Sequence, residues 1–218
     1  MKTRLVSIFK GFSKNKYSLV LIGMIGLVGA ALLAWSLWPM PTGEAEFILS
    51  SMYLEGGQVE LVWPATVRRG EAAEIHLSVD SAGMMVEIET SDGPALLLLS
   101  DLAADFNALF EGRLEISGSD ASPLGPVRIP FTSGQRAEYD WSIISRSGSA
   151  LKGTIWLYLE LVPTSGDERV TVRYPVLARS LDIESRSIMG LGVFGVRGMG
   201  GMLLLMSLWL LWAYRKKN

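Results

Sequence analysis

The sequence contains no cysteine and only one histidine, His76. Without cysteine no disulfide can form, so a domain outside the cytoplasm has to be stabilised by an ordinary hydrophobic core. One histidine without thiol ligands cannot supply the Cys- and His-rich sites typical of zinc and related metals. His76 lies between Ile75 and Leu77 in an apolar stretch, and we interpret it as a structural or solvated residue on a strand face. No metal or other cofactor is expected.

Catalytic motifs are missing as well. The sequence has no G-x-S-x-G nucleophile elbow, no D-x-D-x-D-G calcium loop and no glycine-rich phosphate loop between a strand and a helix. The carboxylates Asp101, Asp105 and Glu111 are spaced for a solvated helix face. Arg68 and Arg69 precede Gly70 and fit a solvated turn better than an anion site. We therefore expect no enzymatic activity and assign no catalytic residue.

The chain also lacks acidic residues at both ends, where two long apolar runs lie. Residues 17–38 contain no charge, and residues 188–214 are interrupted by Arg197 and six glycines. Each run is long enough to cross a hydrocarbon core of about 30 Å. The flanking tails, residues 1–16 and 215–218, carry basic residues only. This positive-inside pattern predicts two transmembrane helices, two cytoplasmic tails and an extracytoplasmic domain at 39–187. A cleaved signal peptide, with Ala34 and Ser36 as the small residues before the cut, is the alternative for the first run.

The predicted extracytoplasmic domain is acidic and carries no glycosylation signal. All 22 acidic residues lie in it against eleven bases, which argues against binding nucleic acid or anionic lipid surfaces. Neither asparagine begins an Asn-x-Ser/Thr sequence. Together with the absence of cysteine, this predicts a bacterial or archaeal plasma membrane.

Within the membrane, small residues predict a helix contact. Gly26, Ala30 and Ala34 recur every four residues on one face of the first run, a spacing that lets helix backbones approach closely. This face could contact the second apolar run or a separate protein. We therefore expect the chain to interact with the lipid bilayer and with either a membrane-protein partner or further copies of itself. Arg197 is predicted to snorkel at the outer interface. Alternatively, it pairs with a carboxylate of a neighbouring subunit.

Between the two runs the sequence has the period of short strands. Ten strands are predicted at 46–54, 58–63, 73–79, 84–90, 95–99, 112–118, 126–131, 136–144, 153–162 and 168–178, separated by turn residues. Alternation is clearest in two of them: Tyr139, Trp141 and Ile143 on one, and Ile155, Leu157, Leu159 and Leu161 on the other. Such a pattern is typical of an antiparallel two-sheet β-sandwich. One helix is predicted from Ser100 or Asp101 to Glu111, before Gly112.

Two stretches resemble immunoglobulin-like domains of bacterial membrane-anchored surface proteins. They read VELVWPATVRRGEAAEIHLSVD and SGQRAEYDWSIISRSGSALKGTIWLYLEL. The first is similar to the opening strand, turn and alternating strand of such domains, and the second to their later Trp-bearing strand, turn and hairpin. The resemblance implies an immunoglobulin-like sandwich and implies little about function.

These observations favour a non-catalytic accessory or scaffold subunit. In this hypothesis two membrane helices hold an acidic β-sandwich outside the plasma membrane for protein–protein contact. The alternative is a sensor module that binds a small ligand or glycan on an exposed Trp63, Trp141 or Trp156.

Overall fold

The computed structural model describes residues 16–51, 54–90, 93–102, 105–132, 134–164 and 171–217. Contacts divide the chain into two compact units. One unit comprises Met1–Pro39 together with Ser187–Asn218, and the other comprises Met40–Arg186. The first contains two apolar helices and the second nearly all of the β structure.

The two apolar helices are α1 (Lys16–Leu37) and α3 (Val193–Lys217). Both are long and apolar enough to cross a membrane. The second begins later than residue 188, because Ile188 and Leu191 form a β-bridge around a turn. Met189 and Gly190 have positive φ values of 51° and 74° in that turn, which is incompatible with helix.

The second unit consists of twelve described strands and one short helix. The strands are β1 (Thr42–Ser51), β2 (Leu54–Pro64), β3 (Thr66–Arg68), β4 (Ala72–Asp80), β5 (Met85–Thr90), β6 (Gly93–Leu98), β7 (Phe106–Ile116), β8 (Ser119–Ser122), β9 (Val127–Pro130), β10 (Arg136–Ser145), β11 (Leu151–Pro163) and β12 (Val172–Arg186). Helix α2 (Leu99–Leu102) is a single turn.

The strands form two sheets. The seven-stranded sheet has the order β6-β5-β2-β4-β10-β8, and β1 pairs along β2. The five-stranded sheet has the order β3-β12-β11-β7-β9. Described pairings are antiparallel except for that of β3 with β12. The unit is therefore a β-sandwich-like domain, as the strand pattern predicted.

Apolar side chains of both sheets form one core. The inward positions alternate along each strand, as a pleated sheet requires. The strand β10 buries Tyr139, Trp141 and Ile143, and β11 buries every second residue from Ile155 to Leu161. The two clearest alternation patterns of the sequence are thus confirmed.

The helix predicted from residue 100 to Glu111 is wrong. Helix α2 ends at Leu102, residues 103 and 104 lie outside the described residues, and β7 begins at Phe106. The strand pairs with β11 over its whole length and with β9 over four residues. Phe106, Ala108 and Phe110 also have the period of a strand, and pairing on both sides overrides the weak local preference for helix.

Other strand boundaries differ from those predicted. Gly56 and Gly57, predicted to be a break, lie inside β2 with positive φ values of 78° and 80°. They oppose a register shift in β1 between Ile48 and Ser50, which is where glycine accommodates a bulge. The strand β12 continues to Arg186, eight residues beyond the predicted end at 178. The predicted start of that strand at 168 lies outside the described residues. The short strands β3 and β8 were not predicted.

The two stretches that resemble immunoglobulin-like domains fall on β2–β4 and on β10–β11. The second does not form a hairpin, because β10 belongs to the seven-stranded sheet and β11 to the five-stranded sheet. The immunoglobulin-like assignment stays a prediction.

Candidate functional site

The helix pair of the first unit crosses at two glycines. A Cβ on Gly29 would lie 2.9 Å from the carbonyl oxygen of Gly200, and a Cβ on Gly200 would lie 3.0 Å from that of Gly29. The backbones of α1 and α3 therefore touch at this point. Nearby, the hydroxyl of Ser207 donates a hydrogen bond of 3.0 Å to the carbonyl oxygen of Ile22.

Only part of the predicted small-residue face lies at this contact. Gly26 faces Ser207, whose Oγ would be 2.8 Å from an added Cβ. Ala30 and Ala34 are exposed on the helix pair, whereas Gly29 is buried. In this structure the two helices approach each other at Gly29, and the packing face formed by Gly26, Ala30 and Ala34 stays a prediction. Their contact with a separate partner stays a prediction.

Arg197 interacts with the end of the first helix. Its Nη2 donates a hydrogen bond of 2.9 Å to the carbonyl oxygen of Ser36, in the last turn of α1. Carbonyls in a last turn lack intrahelical donors, and the helix dipole makes that end partially negative. Arg197 thus caps α1 from α3, a role that was not predicted. A partner carboxylate for it stays untested.

On the outer face of the five-stranded sheet, two carboxylates are shielded by arginines. Glu111 on β7 and Glu160 on β11 are buried although they point away from the core. Nε of Arg128 lies 2.8 Å from Glu111 Oε2 and 3.5 Å from Glu160 Oε2. Arg173 pairs with both carboxylates from the other side. The hydrogen bond to Glu111, reinforced by the charge of Glu160, raises the pKa of Arg128.

The same face carries the one predicted tryptophan that is neither in the core nor packed against it. Trp156 is half-buried and stacks on Tyr158, with ring centroids 6.3 Å apart. The guanidinium of Arg173 lies 3.8 Å from the centroid of the Tyr158 ring. Trp141 is fully buried, and Trp63 packs against the core from a half-buried position. Of the three tryptophans predicted to stack on a ligand, Trp156 is therefore the one that lies outside the core. Arg173 covers the neighbouring ring of Tyr158.

The outer face of the seven-stranded sheet is acidic. The register aligns Glu46 with Glu60, Glu60 with Ser78 and Ser78 with Glu138, across β1, β2, β4 and β10. In the described part of the chain, no ion pair or side-chain hydrogen bond involves these three glutamates. We call this line of four residues the glutamate row.

An arginine–aspartate pair flanks the glutamate row on one side, and a histidine–aspartate pair flanks it on the other. On one side Arg136 lies 3.4 Å from Asp80. On the other, Nδ1 of His76 lies 2.7 Å from Asp140 Oδ1, which agrees with the prediction of a strand-face histidine. Asp80 and Asp140 thus each have a basic side chain as a partner, whereas the three glutamates of the row have none among the described residues.

Two predicted solvated positions are in fact buried. Arg68 is 3% exposed and forms an ion pair of 3.0 Å with Glu71, whereas Arg69 is exposed and donates to the carbonyl of Arg146. Glu111 belongs to the arginine-shielded pair described above. The prediction of a helix over residues 100–111 placed Glu111 in solvent. The alternating pattern of β7 could have indicated a strand instead. Asp101 and Asp105 are exposed, as expected.

Comparisons with known proteins give a weak structural likeness. No protein-family model matches the sequence, and no curated protein sequence matches it. Among solved structures, a chain of the complex between Zinc 2-glycoprotein and prolactin inducible protein from human seminal plasma is 8% identical. The match covers 65% of this chain and 97% of that chain, with a TM-score of 0.34. A similarity of this size carries no functional conclusion.

Proposed function

We propose that the chain is a non-catalytic accessory or scaffold subunit of a bacterial or archaeal plasma membrane. Its two apolar helices span the bilayer with both tails in the cytoplasm, and its immunoglobulin-like sandwich contacts another protein outside. The basic tails and the acidic domain support this orientation. The length and composition of α1 and α3 support the two crossings.

The connections between helices and strands support a scaffold role. Four residues separate Leu37 from Thr42, and six separate Arg186 from Val193. Short connections reduce the number of conformations that a tethered domain can adopt, and fewer conformations lower the entropy lost when the domain associates with a partner.

The single observation that carries the proposal is the glutamate row. Two of its glutamates, Glu46 and Glu60, lie directly opposite each other, and like charges in this position destabilise a sheet. Such a placement is more consistent with a use of this face in binding than with a contribution to stability. Contact with a protein of opposite charge is the use that fits an acidic surface, because complementary charge accelerates association and rejects wrong partners.

The alternative function, a ligand- or glycan-binding sensor module, has support only from Trp156 on the opposite sheet. No group of three or more His, Asp or Glu residues within the described ranges is arranged to hold a metal ion.

Native-size analysis tests this function. Solubilised in a mild detergent from the membranes of its own cell, the 23.8 kDa chain is expected to migrate in a larger complex that contains a second protein or further copies of itself. Chemical cross-linking in intact membranes before solubilisation is the control for dissociation by detergent. A monomer in both experiments would contradict the proposal.

A further inference from the structure

A groove of about 350 Å³ lies beside the glutamate row on the seven-stranded sheet. It is lined by residues that include Glu46, Ile48, Glu60, Ser78, Asp80 and Arg136. Its volume is at the lower end of the range for small-ligand sites. It thus suits one side chain or a small ion rather than a large cofactor.

The charge of the groove is unbalanced. Arg136 faces Asp80, and Asp80 also accepts a hydrogen bond of 3.0 Å from the backbone N–H of Ala82. This leaves Glu46 and Glu60 directly opposite each other, at a Cβ separation of about 5 Å for cross-strand neighbours. Two carboxylates at this spacing can share one cation.

The side chain of a mostly buried serine lines the same groove. Ser78 lies next to Glu60 in the register and is only 5% exposed, yet it lines the groove. No hydrogen bond joins its side chain to any residue that the structure describes. The hydroxyl oxygen is therefore open to a donor that enters the groove, while the rest of Ser78 is buried.

An exposed apolar residue completes the groove. The side chain of Ile48, on the edge strand β1, is 75% exposed and opposes Gln58. The combination of an aliphatic surface with carboxylates matches a long basic side chain, whose methylene stem is apolar and whose end is charged.

We infer that this groove binds a lysine or arginine side chain of the partner protein. The ammonium or guanidinium lies between Glu46 and Glu60 and donates to Ser78 Oγ, while the stem packs on Ile48. The inference rests on the proposed function and names the chemistry of the partner's contact. A metal ion fits less well, because the described residues include no group of three or more His, Asp or Glu side chains able to hold one.

Binding of a fluorescein-labelled hexalysine peptide to the full chain in phosphatidylcholine nanodiscs tests the inference. Zwitterionic lipid removes attraction of the peptide to the bilayer itself. The double variant Glu46→Gln, Glu60→Gln is expected to weaken binding at least tenfold. Ser78→Ala is expected to weaken it several-fold, since hydrogen bonds to charged groups are among the stronger ones. The matched control, Glu55→Gln with Glu74→Gln, removes the same charge from exposed positions on the same sheet and is expected to change binding less than twofold.

Stability of the same variants separates a binding role from a structural one. Because the opposed glutamates repel each other, Glu46→Gln with Glu60→Gln is expected to raise the thermal midpoint of unfolding while it weakens binding of the peptide. A lowered midpoint would mean that the glutamates stabilise the fold, and the inference would be overturned.

Three other outcomes would also overturn it. Equal weakening by the control pair would indicate diffuse attraction to an acidic domain. Binding of Ca²⁺ or Mg²⁺ that is lost in Glu46→Gln, Glu60→Gln would identify a metal site. Absence of hexalysine binding to a chain that still forms a complex in native-size analysis would refute the groove and leave the proposed function standing.

The opposite combination separates the two proposals as well. Specific hexalysine binding by a chain that is monomeric in its own membrane would support the groove and refute the proposed function.

Discussion

At the scale of single residues, the arginine-shielded carboxylates are the most demanding electrostatic feature of the domain. Glu111 and Glu160 are removed from water on an outer sheet face, where a carboxylate ordinarily stays solvated. Burying an ionised carboxylate is unfavourable unless cations and hydrogen bonds compensate it. Arg128 from β9 and Arg173 from β12 supply both, so four strands of one sheet are joined through charge.

Removing the two cations should destabilise the domain strongly. We expect Arg128→Ala combined with Arg173→Ala to lower the free energy of unfolding by several times the loss in a matched control, because it leaves two buried carboxylates without their cations. Arg113→Ala is the matched control, since Arg113 pairs with a half-exposed Glu115, and should lower it by less than about 1 kcal/mol. Urea titrations of the three proteins measure both values. Equal losses in the variant and the control would contradict the assigned role.

Tyr139 is a second residue whose surroundings have a measurable effect, in this case on its pKa. Its ring lies parallel to that of Trp141 at 5.6 Å, and its hydroxyl donates a hydrogen bond of 2.9 Å to the carbonyl oxygen of Phe110. The Tyr139 ring also packs against Gly112 of β7. A Cβ at that position would lie 2.6 Å from the ring, so only glycine fits there. Burial, together with the charge of Glu111, raises the pKa of Tyr139 above its ordinary value.

The sign of the pH effect follows from that shift. Unfolded tyrosine ionises near pH 10, whereas folded Tyr139 stays neutral, so the stability that it contributes is complete below about pH 10 and falls as the pH rises further. We expect Tyr139→Phe to lower the free energy of unfolding at pH 7 by about 1 kcal/mol through the lost hydrogen bond. The variant should also lose stability less steeply between about pH 10 and 11.5. If the free energy of unfolding fell equally steeply with pH in both proteins, burial would not keep Tyr139 neutral, and the assignment would be contradicted.

At the scale of elements, the contact between α1 and α3 depends on glycine. The carbonyl oxygens of Gly29 and Gly200 approach the opposite helix so closely that any side chain would displace it. Arg197 adds a polar contact at one end and Ser207 another along the helices. Close packing and interhelical hydrogen bonds are the forces that hold helices together in lipid, where the hydrophobic effect does not.

A disulfide can report this contact, because the chain has no cysteine of its own. A Cβ on Gly26 would lie 3.5 Å from the Cβ of Ser207, within the range that disulfides require. We expect Gly26→Cys with Ser207→Cys to cross-link on mild oxidation in membranes, as measured by protection from maleimide–polyethylene glycol. Leu27→Cys with Ser207→Cys, at the same depth but on an exposed face, should stay reactive.

Adding Gly29→Leu to the reporter pair should abolish the cross-link. Gly198→Leu is the control, since a Cβ there meets nothing within 4 Å, and should leave the cross-link intact. Equal yields in both backgrounds would mean that the glycine crossing does not hold the helices together.

Most elements could be predicted from sequence wherever one periodicity was clear. The strands β10 and β11 alternate without ambiguity, and α1 has no charge over its whole membrane-length run. The stretch around Phe106 and Phe110 is compatible with both a helix and a strand, and only pairing with β11 and β9 decides it. The glycine crossing could not be located either, because Gly29 and Gly26 lie on neighbouring faces and only the position of α3 selects between them. The glutamate row was not predictable, since it depends on the register of four strands.

At the scale of the whole molecule, the charge distribution predicts an orientation. Basic tails and an acidic central region predict that both termini lie in the cytoplasm. In intact cells, a tag at either end should be protected from external protease, whereas a protease site inserted near Lys152, which is exposed, should be cut. Cells opened by osmotic shock are the control, in which all sites should become accessible. Cleavage of a terminal tag in intact cells would contradict the orientation.

The most direct test of the proposed contact is site-specific photo-cross-linking in the native membrane. Glu44→p-benzoylphenylalanine places the probe next to Glu46 on β1 but outside the groove lining, and Arg113→p-benzoylphenylalanine places it on an exposed position of the opposite sheet. We predict that the probe at position 44 captures one protein through a lysine- or arginine-bearing segment, that the probe at position 113 does not, and that Glu46→Gln with Glu60→Gln strongly reduces the capture. Capture from both positions, or capture that persists without the two carboxylates, would contradict a protein contact through the acidic face.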